Sequence, residues 1–249
     1  MHLEFLPEGP ALIIENTMRV LVIADLHFGI ESAFEMCGIH IPTQSKRRLE
    51  RACACIEKSN ADCLVLLGDV KHNIPQTTKQ EYRELPSILQ TFRELIPLKV
   101  SPGNHDGGIE RFLAHNELLP VRGGLIDDVW YLHGHTYPDP SCAGGVLVVG
   151  HLHPMVSLYD EVGCALYDRA FLFAGMNEKC LKLNSKVHIQ TRTLFMPAFN
   201  ELSGCDILQM KGGSLGPLSR CMNVDETEVF LTDGTYIGTL GSLEDGGRS

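Results

Sequence analysis

The sequence predicts an α/β protein with four layers (α/β/β/α), in which two mixed sheets pack face to face and helices flank them. Two observations predict this fold class. Up to residue 105, short apolar runs alternate with helical patterns, and a series of strand-like runs with few helices follows. The early runs are continuously apolar, which is typical of strands buried on both faces. The chain has 249 residues, 44% of them hydrophobic, which is enough for one large domain or two small ones, and we expect one.

The first part of the chain supplies strands and helices in alternation. Apolar runs predict strands at 18–25, 62–69, 97–104, 129–135 and 145–153. Over 44–58, apolar residues recur at the spacing of one helix face. A second helix is expected over 78–95, where Thr78 and Glu81 have the spacing of a capping box. We expect Pro86 to divide this second helix, because proline removes a helical hydrogen bond.

The later part of the chain is rich in strand signals. A short helix is expected over 108–116, and further strands at 118–133, 146–150, 156–160, 187–196 and 206–210. The dipeptide Asp233-Gly234 lies between two alternating runs and predicts a hairpin. We therefore expect a single domain over 1–241, followed by a disordered tail over 242–249.

Composition disfavours some classes of protein. A net charge of −10 disfavours a protein whose main surface grips nucleic acid, although a local basic patch could still do so. The nine cysteines are irregularly spaced, so we expect reduced, mostly buried thiols rather than a structural zinc site. No run approaches the roughly 18 apolar residues of a membrane span, and no targeting segment is evident. We expect a cytoplasmic protein that does not enter a membrane.

The five early strands all end in side chains that can bind a metal or a phosphate. Taken singly, each has a structural interpretation as a helix cap, a turn residue or a buried histidine. Together they follow five apolar runs and stand beside glycines, which permit close approach of the backbone to a ligand. In open α/β sheets such groups meet in a crevice beyond the carboxyl ends of the strands. The set comprises Asp25, His27, Asp69, Asn104, His105, Asp106, His133, His135, His151 and His153.

The chemistry of these side chains predicts two divalent cations. Nitrogen and oxygen ligands without thiolate suit Mn, Fe, Co, Ni or Zn, and the imidazoles are too many for a typical Mg or Ca site. A single structural zinc takes four ligands and would leave several buried polar groups without a partner. Two ions therefore account for the set better than one.

These residues form an ordered set of motifs that resembles the calcineurin-like metallophosphoesterases. The motifs are DLH at 25–27, GD at 68–69, GNHD at 103–106, HGH at 133–135 and GHLH at 150–153. Longer stretches resemble the SbcD-related, ICC-like phosphoesterases of archaea, whose relatives include the bacterial ligase-associated DNA damage response phosphoesterases. These stretches are DLHFGIESAFEMCGIHIP, LGDVKHNIP, GHLHP and MPAFNELSG.

The resemblance implies a role for each matching position. One metal would be held by Asp25, His27 and His153, and the other by Asn104, His133 and His151. Asp69 would bridge the two ions, with manganese the expected metal. His105 would stand beside the scissile phosphate as a catalytic residue, oriented by Asp106. His135, the second histidine of HGH, is expected to contact the substrate rather than the metal.

Substrate contacts are less well defined by the sequence. Lys71 and His72 follow the bridging position directly and are expected to contact substrate, and Phe28 could stack on a base or pack in the core. For Lys46, Arg47 and Arg48 a solvated helix face is favoured over a phosphate site. For Arg169 and Arg192 a structural salt bridge is favoured over phosphate recognition.

The function that the resemblance implies is hydrolysis of nucleotide or nucleic-acid phosphodiesters by in-line attack of a hydroxide held between the two ions. A phosphomonoesterase or protein phosphatase remains open, since the same metal pair supports either reaction. A non-catalytic scaffold would be expected to lack some of the ligands. The branch resemblance suggests a DNA repair helicase or ligase as partner, and the C-terminal hairpin edge could pair two subunits of a homodimer.

Overall fold

A computed structural model confirms the predicted mixed α/β architecture with two packed sheets. The structure describes residues 1–159, 165–183, 189–209 and 216–246. The predicted strand positions 160, 187–188 and 210 lie outside the described residues.

The first sheet contains five strands in chain order. They are β1 (His2–Leu6), β2 (Ala11–Glu15), β3 (Arg19–Ala24), β4 (Cys63–Leu67) and β5 (Leu98–Ser101). The first two pairings are antiparallel, and β3, β4 and β5 are parallel. All five residues of β4 are buried, as expected for a strand covered on both faces.

The second sheet contains nine strands. They are β6 (Gly124–Ile126), β7 (Val129–Leu132), β8 (Val146–Val149), β9 (Pro154–Tyr159), β10 (Ala165–Gly175), β11 (Arg192–Phe195), β12 (Cys205–Asp206), β13 (Glu228–Leu231) and β14 (Tyr236–Thr239). The spatial order is β12-β9-β10-β11-β8-β7-β6, with β13 paired to β10 and to β14. The pair β13–β14 is the predicted hairpin around Asp233-Gly234.

Four α-helices complete the described fold: α1 (Glu31–Met36), α2 (Ser45–Ser59), α3 (Lys79–Leu95) and α4 (Leu240–Gly246). The capping box of Thr78 and Glu81 begins α3 as predicted. Pro86 lies inside a continuous α3, so the expected division is wrong. Pro86 stands near the middle of α3, where it lacks the N–H that would bond to the Tyr82 carbonyl, so the capping box and the buried apolar face of the helix outweigh its cost.

Three apolar layers hold the elements together. The first lies between the five-stranded sheet and the helices α2 and α3, where Phe92 and Leu89 pack fully buried. The second lies between the two sheets and includes Val65, Tyr131 and Val148. The third covers the outer face of the second sheet. There the covering elements are loops, short 3-10 turns and α4 rather than long helices.

Three further features differ from the sequence-based expectations. The strands β1 and β2 are not among those predicted, and α4 overlaps the expected tail at 242–249, of which residues 247–249 lie outside the described residues. The expected helix over 108–116 is a single 3-10 turn at Ile109–Phe112. No helix among the described residues is long and apolar enough to cross a membrane.

The expectation that the cysteines are reduced is wrong for two of them. Cys180 and Cys221 form a disulfide across 41 residues of sequence. Six other cysteines are free thiols: Cys37, Cys53, Cys55, Cys63, Cys142 and Cys205. Cys164 lies outside the described residues.

Candidate metal centre

The polar strand ends of both sheets meet at one place. The loops after β3 and β4 are joined by backbone hydrogen bonds, among them His27 N to the Asp69 carbonyl at 2.7 Å. Glycines allow the loops of the two sheets to approach closely. A Cβ at Gly68 would lie 2.5 Å from the His133 ring, and one at Gly150 would lie 2.6 Å from Asp25 Oδ2. The predicted role of glycine, close approach of backbone to functional groups, is therefore confirmed at these positions.

Two groups of metal-competent atoms form at this meeting point. The first consists of Asp25, His27, Asp69 and His153, and the second of Asp69, His133 and His151. Within each group the ligand atoms lie within 4.8 Å of one another. Asn104 joins the second group, because its Oδ1 lies 3.2 Å from His133 Nε2. Asp69 belongs to both groups, which is the arrangement expected of a bridging carboxylate.

Backbone hydrogen bonds aim the two carboxylates at the centre. Asp25 Oδ2 accepts from His151 N at 3.0 Å, and Asp69 Oδ1 accepts from His105 N at 2.9 Å. The second oxygen of each carboxylate therefore points to the centre. Asp69 Oδ2 lies 3.6 Å from His27 Nε2 and 3.4 Å from His133 Nε2. A single oxygen thus faces an imidazole nitrogen of each cluster.

Five of these residues have a left-handed backbone, which non-glycine residues adopt uncommonly. They are Asp25 (φ 55°), His27 (46°), Asp69 (47°), His151 (67°) and His153 (52°). Such conformations cost of order 1–3 kcal/mol each and persist where the surrounding structure imposes them. Strain of this kind clusters at functional sites, and five of the nine non-glycine residues with positive φ among the described residues belong to the loops that aim side chains at the centre.

The protonation states favour cation binding. Burial lowers the pKa of His27 to about 3, and burial together with His133 lowers that of His151 to about 4. Both imidazoles therefore offer a lone pair at neutral pH. Burial opposes protonation of His133, but its hydrogen bond to Asp69 and the negative charges of Asp69 and Asp25 raise its pKa to about 9. The centre thus has the negative charge that a divalent cation would neutralise.

The donor set fits divalent cations. His27 Nε2 is buried without a hydrogen-bond partner, and the buried Asp25 Oδ1 and His153 Nε2 face each other at 3.0 Å. Burial of a polar atom costs free energy unless the atom forms a hydrogen bond or coordinates a metal. His133 Nδ1 donates to the Leu67 carbonyl at 2.9 Å, so Nε2, which faces Asn104 Oδ1 and Asp69 Oδ2, is the nitrogen that would act as a ligand. Residues 1–159 thus contain His/Asp clusters able to hold metal.

His72 and His105 lie beside the first cluster. Their rings stack with centroids 5.0 Å apart and planes 22° from parallel. His72 Nδ1 lies 3.1 Å from His27 Nδ1, which requires one of the two nitrogens to carry the hydrogen. If His27 binds a cation through Nε2, its Nδ1 is the donor, and His72 becomes the residue that orients it. His72, His27 and His105 also form a third group of converging ligand atoms.

His105 is oriented by a backbone carbonyl rather than by Asp106 as expected. Its Nδ1 donates to the carbonyl of His72, so Nε2 faces the centre, 4.0 Å from Asp69 Oδ2. The Asp106 carboxylate accepts from Lys71 N at 3.1 Å and Gly103 N at 2.8 Å instead. Burial and the charge of Asp69 raise the pKa of Asp106 to about 6. Asp106 therefore holds the loop that carries His105 and does not touch the imidazole.

Two of the candidate substrate contacts are buried: the expectation for Lys71 is wrong, and Phe28 takes the core position that the sequence left open. Lys71 is fully buried, and its Nζ donates to the carbonyls of Asn73 at 2.6 Å and His105 at 2.5 Å. Phe28 is also fully buried, in the layer between the first sheet and its helices. Lys71 turns to these backbone carbonyls and Phe28 to the apolar layer, although each stands within two residues of a ligand. Both residues are therefore structural.

His135 remains beside the centre, as expected. Its ring centroid lies 5.3 Å from that of His133, and burial together with His133 lowers its pKa to about 4. Gly216, which the sequence analysis does not predict, packs closely against the His151 ring. A Cβ there would lie 2.8 Å from the His151 ring, and the φ of 104° suits glycine. No sequence pattern marks this contact, because it joins segments far apart in the chain.

A buried arginine contacts the loop after β3, which carries His27. The Arg48 side chain is fully buried, and its guanidinium contacts Glu31 at 3.2 Å, Glu201 at 3.1 Å and the His27 carbonyl at 3.4 Å. The favoured interpretation of Arg48 as part of a solvated helix face is therefore wrong. Asn200, which precedes Glu201, donates to the Asp25 carbonyl at 3.2 Å. The stretch MPAFNELSG thus positions the metal loops.

The other basic residues have structural or surface positions. Arg169 donates to the carbonyls of Ala198 and Asn200 at 3.0 and 2.8 Å, rather than forming a salt bridge among the described residues. Arg192 pairs with Glu228 at 3.0 Å, as favoured. Lys46 and Arg47 are exposed on α2, as expected for a solvated face.

Comparison with known proteins identifies the family of this chain. The structure resembles the nuclease MPE of Pseudomonas putida, with a TM-score of 0.55 and 16% sequence identity over 90% of this chain and 97% of that one. It also matches the phosphoesterase Yfce of E. coli, with a TM-score of 0.42 and 16% identity over 88% of this chain and 96% of that one. A family model described as calcineurin-like phosphoesterase matches residues 18–162, more than half of the sequence. The chain therefore belongs to the calcineurin-like phosphoesterase family.

Proposed function

We propose that this protein is a two-metal phosphodiesterase that hydrolyses nucleotide or nucleic-acid phosphodiesters. The observation that carries the proposal is the position of Asp69 Oδ2, which faces His27 Nε2 and His133 Nε2 from two separate ligand clusters. A carboxylate placed in this way is suited to bridge two ions, and the phosphoesterase family makes a phosphoester the bond to be cleaved.

The metal assignments follow the two clusters. One ion would be held by Asp25, His27, Asp69 and His153, and the other by Asp69, Asn104, His133 and His151. When bound, the ions would neutralise the phosphoryl oxygens and lower the pKa of a water molecule between them. Manganese is the metal that we propose, because the set mixes imidazole nitrogens with carboxylate and amide oxygens.

His105 is the residue that exchanges a proton with the substrate. Its Nδ1 hydrogen is engaged by the His72 carbonyl, so proton transfer can take place only at Nε2, the atom that faces the centre. Proton donation to the leaving oxygen by a positioned histidine contributes about 10²–10⁴ in rate. His72 and His135 border the same space and are the residues that we propose to contact the phosphoryl group or its substituents.

We favour a diester over a monoester as the substrate, because the structure resembles that of a nuclease. The structural neighbour of higher similarity is described as a nuclease, and it shares this fold over nearly its whole length. The branch resemblance of DLHFGIESAFEMCGIHIP and LGDVKHNIP supports the same substrate class. We also propose a cytoplasmic protein that acts alongside a DNA repair helicase or ligase.

Hydrolysis of two chromogenic substrates tests the proposed reaction. Purified protein with Mn²⁺ should cleave bis-p-nitrophenyl phosphate, a diester, faster than p-nitrophenyl phosphate, a monoester. His105→Ala should keep its metal content and lose about 10²–10⁴-fold in kcat. The exposed histidine variant His115→Ala is the matched control and should retain wild-type turnover.

Three outcomes would contradict the proposal in different ways. Faster cleavage of the monoester would indicate a phosphomonoesterase. Loss of metal from His105→Ala would make this histidine a ligand rather than a catalytic residue. Two bound ions with no cleavage of either ester would favour a non-catalytic scaffold.

A further inference from the structure

A cavity is lined by continuations of the loops that carry His72 and His105, and it has no role in the metal assignments. Its volume is about 390 Å³, within the range of about 300–1,000 Å³ that is typical of small-molecule sites. One wall is the loop 75–77, and the other contains Gly107, Gly108 and Arg111. Tyr82 of α3 lines the space between them. The size suits one nucleotide and excludes a duplex.

The walls of this cavity continue the loops that carry two histidines of the centre. Pro75 follows His72 by three residues, and Gly107 follows His105 by two. The two loops are fixed to each other, because the buried Lys71 Nζ donates to the carbonyls of both Asn73 and His105. The cavity is therefore built on the same two loops that position His72 and His105.

The lining can bind an anion. No aspartate or glutamate lines the cavity, although the chain as a whole has a net charge of −10. Arg111 is exposed and forms no ion pair with a carboxylate among the residues that the structure describes. One of its five N–H donors is used, on the Tyr82 hydroxyl at 3.1 Å. The remaining donors have the planar geometry that suits a phosphate.

The lining can also bind an aromatic base. The Tyr82 side chain is 46% exposed, and its ring packs edge to face on Phe112 with centroids 5.6 Å apart. This contact holds the ring in place while its other side remains available for stacking. Because the hydroxyl accepts from Arg111, its own hydrogen is free to donate to a ligand oxygen. Stacking on a fixed aromatic ring together with an arginine is typical of single-stranded nucleic-acid sites.

We propose that this cavity binds the nucleotide adjoining the scissile phosphodiester, with Arg111 on that nucleotide's phosphate and Tyr82 against its base. The inference rests on the proposed phosphodiesterase function and narrows its substrate to nucleic-acid strands or oligonucleotides. A substrate without a second phosphate and a base, such as bis-p-nitrophenyl phosphate, does not use the cavity.

Three substitutions remove separate parts of the site. Arg111→Met removes the cation, Tyr82→Leu removes the ring, and Gly107→Val fills the space. The Cβ of a residue at Gly107 would meet no atom within 4 Å, so the fold accommodates this change. The control is Arg47→Met, which removes an exposed positive charge from α2.

Kinetics with two substrates tests the proposal. On a single-stranded oligonucleotide of DNA or RNA, each of the three variants should lose about tenfold or more in kcat/KM. On bis-p-nitrophenyl phosphate, each should stay within about twofold of wild type, as should Arg47→Met on both substrates. In a His105→Ala background, fluorescence anisotropy of a labelled strand should show weaker binding by a similar factor. A nucleoside 5′-monophosphate tested as a competitor in the same assay separates recognition of a free nucleotide from recognition of a strand.

Several results would overturn the inference. Unchanged oligonucleotide kinetics in all three variants, or equal losses on both substrates, would show that the cavity does not bind the adjoining nucleotide. Cleavage of bis-p-nitrophenyl phosphate but of no oligonucleotide by the wild type would refute this site while leaving the phosphodiesterase in place. Absence of metal-dependent cleavage of any diester would instead refute the proposed function itself.

Discussion

The buried lysine Lys71 provides a sharp test of how the loop of His105 is held. We predict that Lys71→Met destabilises the protein and slows turnover without weakening substrate binding. In the structure its ammonium donates to two backbone carbonyls, Asn73 at 2.6 Å and His105 at 2.5 Å, and the side chain is fully buried. It is therefore a brace for the loop and has no access to substrate.

The expected loss of stability follows from these two hydrogen bonds. A hydrogen bond that involves a charged group contributes about 1.5–3 kcal/mol, and both carbonyls would lose this partner. Removal of a buried ammonium offsets part of that loss, and methionine keeps most of the apolar contact. We expect the free energy of unfolding to fall by about 2 kcal/mol. For a chain of this size that corresponds to a decrease in Tm of roughly 4–8 °C.

Urea unfolding and steady-state kinetics measure the two effects. The kcat on bis-p-nitrophenyl phosphate should fall by about tenfold, because a small displacement of His105 weakens its alignment. The KM should stay within about twofold. Lys99→Met is the matched control, since Lys99 also donates to a carbonyl, that of Asn116 at 2.6 Å, but at the surface. It should change stability by less than about 0.5 kcal/mol.

The opposite pattern would refute this reasoning. Unchanged stability together with a KM raised tenfold would identify Lys71 as a substrate contact. That outcome would restore the sequence-based expectation and contradict the buried position of the side chain.

Three further predictions concern the fold around the site. Phe28→Ala should lower the free energy of unfolding by about 3–5 kcal/mol in urea. The ratio of KM values for oligonucleotide and bis-p-nitrophenyl phosphate should not change, and a selective rise for the oligonucleotide would indicate base stacking. The hydrogen bond from Arg93 lowers the pKa of Glu117 below its ordinary value of 4.5, so this pair contributes stability above pH 4.5 that is lost as the pH falls through the folded-state pKa. Glu117→Gln should therefore destabilise the protein at pH 7 and differ less from wild type in acid, and a constant difference in urea midpoints across pH would contradict the assignment. Reduction of the Cys180–Cys221 disulfide, which spans 41 residues, should lower the free energy of unfolding by about 4 kcal/mol, whereas Cys37→Ser in the oxidised protein should match wild type. Identical unfolding curves with and without dithiothreitol would show that this bond does not contribute.

The ligand clusters could be predicted because their geometry follows from topology. Parallel strands such as β3 and β4 end at the same edge of a sheet, so side chains just beyond them must lie close together. The sequence marks these ends by an apolar run followed by a glycine or a polar residue. Asp25 and Asp69 are found in this way without any knowledge of side-chain direction.

The expected substrate contact of Lys71 is wrong, and Phe28 occupies the core position that the sequence left open. Phe28 and Lys71 directly follow or nearly follow a ligand, and a parallel bridge pairs them in the structure. Phe28 packs in the layer between the first sheet and its helices, and the Lys71 ammonium is buried on two backbone carbonyls. A neighbour of a ligand in sequence is thus more often a core residue than a substrate contact.

Other parts of the site depend on contacts between distant segments. The buried ion pair of Arg48 with Glu201 joins residues 153 positions apart, and its α2 segment has the charge pattern of a surface helix. The left-handed backbone of Asp25 and His153 is imposed by tertiary contacts and is unmarked by glycine. Such features require the packed structure, because local propensity does not encode them.

Metal stoichiometry tests the central claim most directly. Protein stripped with chelator, reloaded with Mn²⁺ and desalted should contain two ions per chain by elemental analysis. Asp69→Asn should hold fewer than one, because each cluster loses its shared carboxylate, whereas Asp106→Asn should keep two. A single ion in the wild type, or two ions retained in Asp69→Asn, would contradict a centre bridged by Asp69.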